Sequence, residues 1–449
     1  MTDTHLYQQA RLSRDPRFDG SFFVAVKTTK IFCRPICPAT LPLEKNVEYF
    51  VMAQQAMQQG YRPCLRCRPD SAPRSNPWQG VLTTVKRASQ LLHSNHQLNI
   101  SDIAAKLGIS DRYFRQLFQR QLGISPKQFQ LFDQILFAKH LLHQSNLSVE
   151  QIAQTSGFNN ARRLQIQMKK VTGLTPSQVR KQQRHIEQDI NLTMAFRPPY
   201  NWPHIRDFLA ARAIPVIEKI CEHSYARSFI LGDCRGWFQA TFDEPNNQFS
   251  LCIKLDNIKS LAQVLRNIER VLDVSADIQA IQQQLKASGV PHELLSEGMR
   301  LPGIWDPIEA GCRAILGQQI SVKAAINLVS QLVNELGEKS PDGHYFPTPQ
   351  NIATHDLTFL KIPDSRRQTL KAFAAWCEQH PDGEIDDWLT IKGIGPWTVA
   401  YTKLRGLSSP DIWLDTDLVI KNQLKKYAIN AELARPWRSY LTLQLWKLA

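Results

Sequence analysis

The sequence predicts a multidomain chain of mixed class. It reads as a small metal-binding α/β module, an all-α tandem helix-turn-helix domain, an α+β domain, and an all-α domain built around a helix-hairpin-helix. Three observations lead there. At 449 residues the chain has room for about three domains. Four of its nine cysteines crowd into residues 33–67, and the other five are scattered singly. The periodicity is helical over about 78–184, alternates over about 225–255, and is helical again from about 257.

Charge divides the chain in the same way. Residues 1–190 hold 26 basic and 12 acidic side chains, whereas residues 191–449 hold 28 of each, so the whole net charge of +14 lies in the first part. A basic domain of this kind fits a nucleic-acid partner better than a merely solvated surface. No apolar run approaches the ~18 residues of a membrane span. The first twenty residues have no apolar stretch of the secretory kind. A cytoplasmic, reducing setting is expected, in which cysteines act as metal ligands, nucleophiles or buried apolar groups.

The first module spans residues 1–77. Its cysteines are spaced Cys33-x3-Cys37, then 26 residues, then Cys64-x2-Cys67. Two short pairs at this separation can bring four thiolates to one tetrahedral zinc; two disulfides or unrelated core cysteines are the alternatives. A closed four-thiolate site often only holds a fold together. The flanks, Ile31-Phe-Cys-Arg-Pro-Ile-Cys37 and Gly60-Tyr-Arg-Pro-Cys-Leu-Arg-Cys-Arg68, resemble the N-terminal domain of the Ada family of DNA-methylation response proteins. The resemblance implies that Cys33, held on zinc with Cys37, Cys64 and Cys67, accepts a methyl group from a DNA methylphosphotriester. Zinc keeps a thiol in its nucleophilic, deprotonated form. Arg34, Arg62 and Arg66 are candidate DNA contacts on these loops. A polar, proline-rich stretch at 68–77 reads as a linker.

The second domain spans 78–188. The segment 100–115 reads helix, glycine turn, helix, with Ser101 and Ser110 as expected caps. A near-repeat begins at Leu147, with Ser148 as its cap. Leu122-Gly-Ile-Ser-Pro126 and Thr172-Gly-Leu-Thr-Pro176 follow the two units. The pair resembles the AraC-type DNA-binding domain, with recognition helices starting near Ser110 and Asn159. Arg112, Arg115, Arg162 and Arg163 are candidate groove contacts, each equally suited to phosphate or a base edge. The asparagine-rich start of the second recognition helix departs from the usual pattern of that family.

The remaining domains span 189–300 and 301–449. Phe196-Arg-Pro-Pro-Tyr-Asn-Trp202, Phe208-Leu-Ala-Ala-Arg-Ala213, Arg313-Ala-Ile-Leu-Gly-Gln-Gln-Ile-Ser321 and Ile391-Lys-Gly-Ile-Gly-Pro-Trp-Thr398 resemble the AlkA family, the 3-methyladenine DNA glycosylases II of the helix-hairpin-helix superfamily. Independently of any family, the glycines of Gly393-Ile-Gly395 allow a tight hairpin whose backbone N–H groups can hold a phosphate. The resemblance implies a monovalent cation on the hairpin carbonyls as well. It also implies a catalytic Asp417, which stabilises an oxocarbenium-like sugar and orients the attacking water. A shorter spacing, typified by endonuclease III, would select Asp415. Trp397 stands where lyase-type relatives carry a lysine, so a monofunctional N-glycosylase is expected. Phe208, Trp397, Tyr401 and Trp446 match the aromatic base pocket of the family, suited to a flipped cationic base. Gln319 stands at the position of the base-flipping wedge, which is apolar in AlkA. No Pro-Cys-His-Arg motif occurs in the chain, so the second methyl-acceptor domain of Ada is not expected.

The expected function is therefore DNA alkylation repair and response: irreversible methyl acceptance at Cys33, methylation-switched transcription activation, and excision of 3-methyladenine- and 7-methylguanine-type bases. The expected partners are double-stranded DNA and RNA polymerase, with no membrane, for a monomer associated with the bacterial nucleoid. Two rivals differ in class. One is a transcription regulator with a catalytically inactive, damage-sensing C-terminal half. The other is a glycosylase whose N-terminal half only targets it to DNA.

Overall fold

In the computed structural model, residues 4–14, 18, 22–37, 39–64, 67, 69, 85, 88–89, 91–92, 98–180, 189–381 and 383–448 are described. The expected linker at 68–77 lies almost wholly outside them, as does Arg66. The chain forms two compact units: residues 1–192 with 257–266, and residues 193–256 with 267–449.

The first unit opens on a four-stranded sheet in the order β3-β1-β2-β4. Its strands are β1 (Phe23–Val26), β2 (Ile31–Cys33), β3 (Val47–Phe50) and β4 (Arg62–Pro63). β1 and β2 form an antiparallel hairpin, whereas β2 and β4 run parallel with Ile31 opposite Arg62 and Phe32 opposite Pro63. Phe22, Val24 and Val47 are buried with Ala10 in a small core, and Tyr7 stacks on Phe22 at 4.3 Å. Phe23, Ala25, Phe32, Ala56 and Met57 are buried as well, and in a module of fewer than about 80 residues a metal staple is a physically reasonable addition to such a core.

The tandem repeat is realised almost residue for residue. Helices Asp111–Leu122 and Ala161–Thr172 bury Phe114, Phe118 and Leu122 in one, and Leu164, Met168 and Thr172 in the other. That i, i+4, i+8 spacing is the inward stripe of an amphipathic helix. Both end on a left-handed glycine, Gly123 (φ +71°) and Gly173 (φ +74°), where a side chain would be strained. Ser110 Oγ accepts from Tyr113 N and Ser148 Oγ from Gln151 N, so these two caps form as expected. The expected cap Ser101 does not. It sits inside the helix Ile100–Lys106, and Asn99 Oδ1 takes the Asp102 N–H instead. Asparagine is as good a cap as serine, and Ile100 is then free to enter the core one residue earlier. The long helix Pro126–Gln144 joins the two repeats.

Within this unit the metal module packs on the helix-turn-helix region. Gln58 Nε2 donates to Gly123 O at 2.7 Å, beside the end of the first recognition helix. β4, which leads directly into Cys64, packs against the second recognition helix, Ala161–Thr172.

The second unit, with the first three residues of β5 counted in the first, carries a five-stranded sheet in the order β5-β9-β8-β7-β6. Its strands are β5 (Ile190–Ala195), β6 (Glu218–Ile220), β7 (Ser224–Leu231), β8 (Cys234–Asp243) and β9 (Gln248–Leu255). The alternating segments at 237–242 and 249–253 fall in β8 and β9. Helices then dominate, around two cores. One gathers Ile315, Leu332, Leu370 and Phe373. The other gathers Leu285, Leu404, Ile420 and Leu441, and it carries the helix that follows Asp417. Helix Pro396–Arg405 belongs to both, through Val399 and Leu404.

Sheet and helices are joined by a buried ion quartet. Arg227 Nη2 meets Glu309 Oε2 at 2.8 Å, and Arg313 Nη2 lies 2.7 Å from both Glu309 Oε1 and Glu218 Oε2. Helix Pro307–Leu316, which carries Glu309 and Arg313, is thereby tied to β6 and β7.

Candidate metal centre and base-excision site

The four cysteines converge because of strand pairing. Cys64 N donates to Phe32 O at 2.9 Å, which sets Cys64 beside Cys33. The four sulfur atoms lie within 4.8 Å of one another. Four thiolates at ~2.3 Å from one zinc would stand about 3.8 Å apart, so the set fits that ion after a small contraction. The donor chemistry agrees. Hydrogen bonding with Cys64 and Cys67, and then burial, push the Cys33 thiol far above its ordinary range. A dication relieves such crowding by taking all four as thiolates. Cys37 and Cys64 are buried, whereas Cys33 and Cys67 keep some exposure. Arg34 serves the centre rather than the surface alone: its N–H donates to Cys67 Sγ and its Nη1 to Cys67 O, both at 3.3 Å. Arg62 is half-buried on β4.

On the recognition helices Arg112, Arg162 and Arg163 are exposed. Arg115 is exposed too but bonded to Asp111 one turn earlier at 3.0 Å, an exposed pair that a phosphate can displace at little cost. Tyr113 and Ile166 share these outer faces at 53% and 49% exposure. They carry no charge to mark them in the sequence, although large apolar residues at such positions can meet thymine methyl groups.

In the second unit, Asp417 is the N-cap of helix Leu418–Lys426. Its Oδ1 accepts from Val419 N (3.0 Å), Ile420 N (3.2 Å) and Trp446 Nε1 (3.3 Å). Oδ2 accepts nothing from the described residues. One oxygen is pinned and the other is left for a ligand. Asp415 is exposed and makes no such bonds.

Of the expected aromatic set, Phe208, Trp397 and Trp446 pack against the same apolar core. Trp397 and Tyr401 stack on each other at 5.1 Å on helix Pro396–Arg405. Phe208 and Trp446 border a depression of about 370 Å³, together with Asn201, His204, Arg212 and Lys447. The guanidinium carbons of Arg212 and Arg405 lie 3.8 and 4.6 Å from the Phe208 ring centroid. Phe208 thus already carries cation–π partners. Arg212 could have been found from its i+4 spacing to Phe208; Arg405, almost two hundred residues away, could not.

Gly393 adopts φ +94°, and a Cβ there would fall 2.1 Å from Thr369 Oγ1, so glycine is required. Gly395 has φ −110°, and a Cβ would meet nothing within 4 Å. Its Cα faces open space at the uncapped start of helix Pro396–Arg405, where free N–H groups suit a phosphate. The carbonyls of Ile391, Lys392 and Gly393 accept from Ile394 N, Thr369 Oγ1 and Gln318 Nε2. Each retains a second lone pair for the expected cation. Gln319 is exposed and left-handed (φ +59°), one residue beyond the Gln318 tie to the hairpin.

These features define a multidomain DNA-binding protein that combines a thiolate metal centre, paired recognition helices and a helix-hairpin-helix with a poised carboxylate. Comparison with known proteins narrows this. Residues 7–70 match the metal binding domain of Ada, 103–182 a helix-turn-helix domain, and 191–306 the AlkA N-terminal domain. A probable bifunctional transcriptional activator/DNA repair enzyme AlkA of Mycobacterium tuberculosis is 30% identical, over 97% of this chain and 94% of its own. DNA-3-methyladenine glycosylase 2 of Escherichia coli is 33% identical, over 57% of this chain and 96% of its own. The bifunctional transcriptional activator/DNA repair enzyme Ada of Escherichia coli is 37% identical, over 29% of this chain and 36% of its own. The chain belongs to the family of bifunctional transcriptional activator/DNA repair enzymes of the AlkA kind.

Proposed function

We propose that this protein repairs alkylated DNA by two chemistries and uses one of them to switch transcription. The observation that carries the excision reading is Asp417, with Oδ1 fixed by three donors and Oδ2 open. With an alkylated base in place, Oδ2 would stand against the sugar as positive charge develops on it, and would orient the attacking water. A base methylated at N3 or N7 is already a good leaving group, so no strong general acid is needed. Trp397, Tyr401, Phe208 and Trp446 supply aromatic surface for the flipped base. Gln319 is the wedge that fills its place, and Gly393 and Gly395 present backbone N–H groups to the phosphate chain.

At the metal centre, Cys33 Sγ forms a bond to the methyl carbon of a methylphosphotriester while the carbon–oxygen bond breaks, and the phosphodiester leaves as an anion. Bound zinc would supply the thiolate form of the four cysteines. Cys37, Cys64 and Cys67 complete the donor set, and Arg34 fixes the Cys33 loop to the Cys67 loop. Methylation removes one negative charge from the centre and so weakens its repulsion of DNA phosphate. Packing of β4 on the second recognition helix supports communication of that change to the helices that read DNA. Arg62, Arg66, Arg112, Arg115, Arg162 and Arg163 supply cationic contacts.

The reading assigns residues 1–77 to methyl acceptance, 78–188 to promoter binding and 189–449 to excision. The protein acts as a monomer on the nucleoid and meets RNA polymerase at its promoter. Among the described residues, no helix is long and apolar enough to cross a membrane. Methylated duplex DNA incubated with the protein tests the reading. Free alkylated purine in solution and one methyl group on the Cys33 peptide are expected. Neither product would overturn it.

A further inference from the structure

His204 lies in the first turn of helix Trp202–Ala210, at the edge of the depression that Phe208 and Trp446 also border. Trp446, which borders the depression, is also the residue whose indole N–H donates to Asp417 Oδ1, and it links the two. The imidazole lies 6.1 Å from the Phe208 ring. Its Nε2 is closed off from solvent and has no hydrogen-bond partner among the described residues. Burial, followed by Lys447, holds the ring neutral, its pKa lowered to about 4. A neutral imidazole can donate from one nitrogen and accept at the other. The other polar groups at the edge are the donors Arg212 and Lys447, the Asn201 amide and the carboxylate of Asp207, which is the one anion among them.

We propose that His204 reads the flipped base, with Nε2–H donating to a carbonyl on its edge, and that it favours alkylated guanine over alkylated adenine. This rests on the excision reading above. The carbonyl O6 of guanine accepts, where adenine carries an amino donor. An unpartnered buried nitrogen is unfavourable in the free protein, and entry of the base supplies its partner after a small turn of the ring. Arg212 and Lys447 reinforce the preference for an acceptor over a donor, and outnumber the opposing charge of Asp207. A site that hydrogen-bonds its substrate rejects the analogue lacking that group far more strongly than an apolar pocket does.

The test uses the full chain and duplex DNA treated with a simple methylating agent. Released 7-methylguanine and 3-methyladenine are measured in a single turnover for the wild type, His204→Phe and His204→Asn. We expect His204→Phe to slow 7-methylguanine release about tenfold or more, with a smaller effect on 3-methyladenine. Its unfolding temperature should equal or exceed that of the wild type, because an unpartnered buried nitrogen is removed. His204→Asn, which keeps a donor, should recover part of the rate. Equal loss of both bases with a lower unfolding temperature would make His204 structural and overturn the proposal. So would rates within about twofold of wild type for both bases. A wild type that releases neither base brings down the excision reading itself, and the proposal with it.

Discussion

Glu218→Gln should weaken the second unit strongly and in a pH-dependent way. Burial alone would raise the Glu218 carboxyl, but Arg313, Arg227 and the Ile214 N–H outweigh it and hold it at about 2, against an ordinary 4.5. At 1.36 kcal/mol per pKa unit, that difference is about 3 kcal/mol of stability. Because the folded-state value lies below the unfolded one, this contribution is fully present above about pH 4.5. It is lost as the pH falls towards 2. Removing one partner of a buried pair costs ~3–5 kcal/mol, and since Glu309 still holds both arginines the lower end, about 3 kcal/mol, applies. Urea unfolding followed by tryptophan fluorescence suits the question, since of the ten tryptophans all but Trp78 lie in the second unit. At pH 7 the variant should unfold about 3 kcal/mol more easily than wild type, and the gap should close as the pH approaches 2. A gap below about 0.5 kcal/mol at pH 7, or one that does not change with pH, would show that Glu218 carries no such charge-dependent stability.

Four further outcomes follow from the geometry. Gly393→Ala should lower the unfolding temperature, because its Cβ collides with Thr369 at a left-handed backbone position. Gly395→Ala should leave that temperature unchanged yet weaken binding to abasic duplex DNA, because its Cβ meets only an incoming phosphate. Arg162→Ala should weaken promoter binding and reduce the salt slope by about one, read by titration at several salt concentrations, if the residue meets phosphate. Cys33→Ser, incubated with methylphosphotriester DNA, should gain no methyl group on the residue-33 peptide by mass spectrometry, whereas wild type gains one.

What was legible in the sequence was whatever depends on local rules. The Cys33, Cys37, Cys64 and Cys67 spacing announced a metal site, and parallel pairing of β2 with β4 supplied the geometry the spacing required. The stripe Phe114, Phe118, Leu122 and its counterpart Leu164, Met168, Thr172 announced two equivalent helices. The caps show where local reading stops. Asn99 and Ser101 are both acceptable caps, and the choice is made by Ile100 and Ile103 entering the core, a tertiary matter. The site was less legible where it depends on distant partners. Nothing near Phe208 predicted Arg405 against its ring, nor Gln318 tied to the hairpin carbonyl of Gly393. The buried quartet joins residues 82 and 95 positions apart and has no sequence signature. Arg34 is expected at DNA as an arginine on a basic loop, and only the fold shows that its backbone N–H and guanidinium also hold Cys67.

The most direct test of the account is base release from methylated duplex DNA by wild type and Asp417→Asn. Asparagine caps a helix as well as aspartate does, so the helix Leu418–Lys426 should keep its start and only the carboxylate is removed. The account predicts that wild type frees alkylated purine, and that the variant binds the same DNA but releases base about a hundredfold more slowly or less. Release by Asp417→Asn at the wild-type rate, or its loss in Asp415→Asn instead, would contradict it.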